Sequence, residues 1–99
     1  MLSQEILEKI KEIYGLLSQI NNYWTKLDFW KSKQRGSKSY FYELDLDIYT
    51  TIEETDKEEI KIKHILQEKI DLNEATANIQ LEKTIEKIKE LIHATNKND

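Results

Sequence analysis

The chain has no cysteine, no proline, no valine and only two glycines. Without cysteine there is neither a disulfide framework nor a thiolate metal site, so stability must come from packing, from a partner chain, or from both. Without proline, the strongest turn punctuation is nearly missing, and Arg35-Gly36-Ser37-Lys38 is the one clear loop signal. No apolar run approaches the roughly 20 residues of a membrane span, and Met1 to Glu5 lacks the basic start and greasy stretch of a secretory leader. These absences predict a cytoplasmic protein without membrane contact. Its 99 residues allow one small domain, near the lower end of what buries a core without staples.

The net charge of -4 is too small to define a partner, but its distribution is uneven. Residues 31 to 42 hold Lys31, Lys33, Arg35 and Lys38 with no acid, whereas residues 43 to 59 hold eight acids against Lys57 alone. Fourteen isoleucines, and fourteen lysines beside the single Arg35, fit the coding bias of an AT-rich genome better than a physical demand.

What the chain does have is a long apolar repeat. Ile6, Ile10, Ile13, Leu17, Ile20, Trp24 and Leu27 alternate steps of four and three, and Leu81, Ile85, Ile88 and Ile92 answer at the same spacing. Asn78 falls on that second seam, where a polar residue fixes register and partner number. The first stripe is widened by Leu7, Tyr14, Leu16, Tyr23 and Trp30, which predicts a helix touching more than one neighbour. Between the two seams the period changes to two: Tyr42, Leu44, Leu46, Ile48, Thr50 and Ile52 alternate with a face bearing Glu43, Asp45 and Asp47. A shorter alternation from Glu59 to His64 follows. Pairing Ile48 with Ile62 and Asp47 with Lys63 gives a β-hairpin. A competing helix starts at Thr55, whose Thr55-Asp56-Lys57-Glu58 has the capping-box form.

The expected fold class is mainly α with a small β element: two long terminal helices packed coiled-coil fashion with a central β-hairpin, or alternatively an all-α helical bundle. The elements read as helix 3–34, basic loop 35–39, β-hairpin 40–64, helix 65–94 with a bend or fresh cap at Asn73, and a frayed tail 95–99. This helix, hairpin, helix order is similar to that of prefoldin subunits, in element order only. A lone two-stranded ribbon is marginal in water, so its apolar face calls for cover by the arms or by a second chain, and a homo-oligomer, most simply a dimer, is expected.

Eight of the nine aromatic residues lie between Tyr23 and Tyr49, in a stretch that also contains the basic block. Tryptophan, tyrosine and arginine are common anchors of binding hot spots. Phe29, Trp30, Lys31, Lys33, Arg35, Lys38, Tyr40, Phe41, Glu43, Asp45 and Asp47 are therefore the candidate partner-binding residues. The acidic strip admits two readings: phosphate imitation toward a nucleic-acid-binding protein, or protection of an exposed strand edge. His64 on the apolar face and His93 on the outside of the last helix lack metal-ligand spacing. No nucleophile or glycine-rich loop accompanies the carboxylates, so no enzyme, cofactor or metal is expected. The favoured function is a protein-protein interaction module, an accessory or inhibitor protein of a phage, virus or other mobile element. The alternative is nucleic-acid binding, with the loop from Lys31 to Lys38 gripping phosphates and Trp30 and Tyr40 stacking on bases.

Overall fold

The structure is a computed structural model that describes residues 2–33, 40–54, 59–73 and 75–96. Ser3 opens the first element: its Oγ accepts the Ile6 amide at 3.2 Å, Glu5 sits in the first turn, and helix α1 spans Gln4–Leu17. It stops because the last turn tightens. The amides of Gln19 and Ile20 donate three residues back, to the Leu16 and Leu17 carbonyls at 3.0 and 3.1 Å, and Ser18 Oγ donates to the Gly15 carbonyl at 2.6 Å. Asn21 and Asn22, which favour turns, follow. The chain then re-emerges as strand β1, Trp24–Lys33. The expected helix over 3–34 is thus a 14-residue helix and a 10-residue strand. Trp24 and Leu27 fit the heptad spacing, yet three steps along a strand put them on opposite faces. The aromatic and β-branched run from Tyr23 to Trp30 suits a pleated surface better than a helix.

Strands β2 (Tyr40–Glu54) and β3 (Glu59–Asp71) complete an antiparallel sheet in the order β1-β2-β3. The central element is therefore a three-stranded sheet between terminal helices. That overturns both the mainly α reading with its small hairpin and the all-α alternative, and with them the likeness to prefoldin element order. The register is corrected as well: Ile48 faces Leu66 rather than Ile62, and Asp47 faces Gln67 rather than Lys63. A bulge between Ile48 and Tyr49 leaves Ile65 without a partner in the ladder, because Tyr49 pairs with His64.

Helix α2 spans Ala77–Asn96, not 65–94. Leu66 and Ile70, four apart, fit one helical turn and two strand steps equally well, and pairing with Ile48 and Leu44 decides for the strand. Asn73 does not cap the helix. Its amide donates to Asp71 Oδ1 at 2.9 Å in the turn after β3, while the Thr76 carbonyl accepts the Gln80 amide at 3.0 Å. The tail expected to fray from residue 95 is helical through Asn96. The basic loop 35–39 and the capping box from Thr55 to Glu58 lie outside the described residues.

Both helices lie on one face of the sheet. Leu44, Leu46, Ile48 and Ile70 point toward them and meet Ile13, Leu17, Leu81, Ile85, Ile88 and Ile92 in a continuous buried cluster. The helices run in the same direction, since Lys9 reaches Glu82 at 3.0 Å and, further along both, Lys89 reaches Glu12 at 3.6 Å. The matched seams therefore do pack side by side, but over a sheet. The breadth of the α1 stripe follows from that double contact. Asn78 accepts a hydrogen bond from Lys9 at 3.4 Å, a partner within the chain. Among the described residues, no helix is long and apolar enough to cross a membrane.

Candidate functional site: the uncovered face of the sheet

With both helices on one side, the other face of the sheet carries no layer from the described residues. Alternation and register assign its occupants. β1 contributes Trp24, Lys26, Asp28 and Trp30; β2 contributes Phe41, Glu43, Asp45, Asp47 and Tyr49; β3 contributes His64, Gln67, Lys69 and Asp71. Both tryptophans of the chain stand here, 63% and 55% exposed at Trp24 and Trp30. Two large rings are thus left in water on one face, roughly 20 Å apart along β1 at about 3.3 Å per residue, with Lys26 and Asp28 between them.

The charges along the face are mostly paired. Lys26 lies 3.4 Å from Asp28, Lys69 lies 3.8 Å from Glu43, and His64 Nδ1 meets Asp47 Oδ1 at 2.8 Å. Asp45 differs. It sits on the middle strand, directly across from Asp28 on β1 and Lys69 on β3, and its Oδ1 is buried with no hydrogen-bond partner among the described residues. Lys26, Asp28, Trp30, Asp45 and Lys69 border a depression of about 300 Å³. Five carboxylates, Asp28, Glu43, Asp45, Asp47 and Asp71, face two lysines across the three-stranded part of this surface. Chemically, such a face offers acceptors and aromatic planes to a donor-rich ligand. Among the described residues, no group of three or more His, Cys, Asp or Glu is arranged to hold a metal ion.

The candidate residues divide between the two faces and the described limits. Trp30, Phe41, Glu43, Asp45 and Asp47 share the open face. Phe29 lies on the helix side, where its ring stacks on Tyr42 at 5.9 Å between centroids, and Lys31 lies opposite Tyr42 on that same side. Lys33 and Tyr40 pair across the ends of β1 and β2. Arg35 and Lys38 lie outside the described residues. Protection of a sheet edge does not account for Glu43, Asp45 and Asp47, because β2 is the central strand. His64 is a face residue rather than a core one. Trp24, Asp28 and Lys69 were missed as members of the site; the alternation of Trp24, Lys26, Asp28 and Trp30 against Thr25, Leu27 and Phe29 after two asparagines marks β1 as a strand, and cross-strand register then brings Asp28 and Lys69 beside Asp45.

Beyond the end of β1, β2 and β3 continue as a two-stranded ribbon, Thr50 to Glu54 against Glu59 to Lys63. Ile60 and Ile62 stand on its open-face side, 69% and 60% exposed, and Ile52 with Lys61 and Lys63 stands on the other. No protein family, no curated protein and no solved structure matches this chain.

Proposed function

We propose that the chain is a non-enzymatic protein-interaction module that binds another protein through the uncovered face of its sheet. The observation that carries this reading is the placement of Trp24 and Trp30, both more than half exposed, on β1 beside the acidic row of β2, on the one sheet face that the helices leave bare. Large aromatic side chains bury much area for little lost entropy and so tend to anchor interfaces. The isoleucine and lysine bias accords with an accessory or inhibitor protein of a phage, virus or other mobile element, and the lack of cysteine with a cytoplasmic setting. Binding of nucleic acid by the Lys31 to Lys38 loop is the weaker reading, since the five carboxylates on the sheet repel a phosphate backbone.

The test is capture of a partner from host extract with the wild type and with Trp24→Ala plus Trp30→Ala. A partner retained by the wild type and lost by the double variant supports the open face. Equal retention by both places the binding surface elsewhere.

A further inference from the structure

The charge on the open face says what kind of partner fits it. Lys26, Lys69 and His64 are each within 4 Å of a carboxylate, which leaves Asp45 as the central acid without a donor at Oδ1. Asp28 stands directly across from it on β1. Like charges directly opposite on neighbouring strands repel. An uncharged threonine or glutamine at position 45 would serve the sheet better. Lys69 faces Asp45 from β3, but its ammonium lies 3.8 Å from Glu43, and the acid pair makes sense as half of an interaction whose other half comes from outside.

Trp30 is two residues along β1 from Asp28 on the same face, pairs across with Glu43, and borders the depression that Asp28 and Asp45 also line. An aromatic plane beside two carboxylates is the environment that a guanidinium group satisfies on all sides: it stacks on the ring and donates in a planar fork to the acids. The depression, about 300 Å³, has room for the head of one long side chain.

Resting on the proposed function, we infer that the open face recognises a cationic protein segment, with an arginine side chain seated against Trp30 between Asp28 and Asp45. A second copy of this chain does not suit the same face, because juxtaposing two identical surfaces brings acid row against acid row. Of the remaining carboxylates, Glu43 and Asp47 flank Asp45 along the same strand at about 6.6 Å intervals, and with Asp71 across from Glu43 they continue the complementarity to neighbouring basic residues.

Both tryptophans sit on the face, so their emission reports occupancy directly. The experiment titrates the full chain with a blocked peptide of alternating arginine and threonine, and in parallel with its lysine and glutamate counterparts. The arginine peptide is expected to change the emission, to bind more tightly than the lysine one, and to weaken as salt rises. Asp45→Asn should lower its affinity about tenfold, and Asp45→Thr, a residue suited to strands, should do the same. Glu86→Gln with Glu90→Gln, on the outer side of α2, should leave it unchanged. The inference is overturned by an arginine peptide bound no better than the glutamate one, by Asp45 variants that bind as the wild type does, or by an equal loss in the α2 variant. A natural partner released by Trp24→Ala plus Trp30→Ala, yet held by Asp45→Asn without any dependence on salt, would overturn the cation and leave the open face as the binding surface.

Discussion

Asp45 concentrates the tension between stability and use. A buried carboxylate oxygen without a donor forfeits hydration, and the acid across from it on β1 adds repulsion that Lys69, across on β3 but 3.8 Å from Glu43, offsets only in part. Removing the charge should therefore stabilise the free protein. Asp45→Asn is expected to raise unfolding stability by about 1 kcal/mol, read as a higher urea midpoint at unchanged slope. A lower midpoint would mean that the fold already satisfies the carboxylate. Core residues behave in the opposite way. Ile48, buried completely at the middle of β2, should cost about 2–5 kcal/mol when cut to alanine, because the cavity is left inside the core cluster, where little can relax to fill it. Trp30→Ala, on the bare face, should stay within about 0.5 kcal/mol of the wild type in the same urea titration.

At the scale of elements, the two helices are tied by Lys9, whose ammonium reaches Glu82 on α2 as well as Glu5 on its own helix. The hydrogen bond to Glu82 is the main reason its pKa rises above 10.5. A base whose folded pKa is raised contributes stability that is fully present below its unfolded value and lost as pH climbs through the folded one. The difference in urea midpoint between the wild type and Lys9→Met should accordingly be present near neutral pH and shrink well above pH 10.5. A constant difference would show that Lys9 acts through packing of its stem. The pairing of these helices was legible in the sequence, because Ile13, Leu17, Leu81, Ile85 and Ile88 keep a spacing that only a helix can bury. The first and third strands were not. Their apolar residues happen to fall at separations that helix and strand share, as at Leu66 and Ile70, or that continue a heptad by coincidence, as at Trp24 and Leu27. With neither proline nor glycine at the breaks, asparagines alone mark where α1 ends and where β3 gives way to α2. The acids of the middle strand and Trp30 were legible as a site, whereas Asp28 and Lys69 join it only through cross-strand register.

The whole molecule measures 52 × 32 × 18 Å, elongated along a sheet whose middle strand alone has 15 residues. Since the helices cover the apolar face from within the chain, a second copy is not required there. The homo-oligomer expected from the sequence is proposed instead at the ribbon, where Ile52, Ile60 and Ile62 are exposed. Its mass in solution should be that of two chains, and Ile60→Lys with Ile62→Lys should return it to 11.9 kDa. A wild type already at 11.9 kDa would remove the idea. The bulge before the ribbon governs which chemistry each side of it presents. Ile65 absorbs one residue, so that Ile60, Ile62 and His64 stand on the acidic side. If the outer turns of β3 slid by that single residue, Lys61 and Lys63 would rotate into their place and the greasy tip would turn basic. One unpaired isoleucine thus sets whether the distal end extends the acidic surface with oil or neutralises it with lysine.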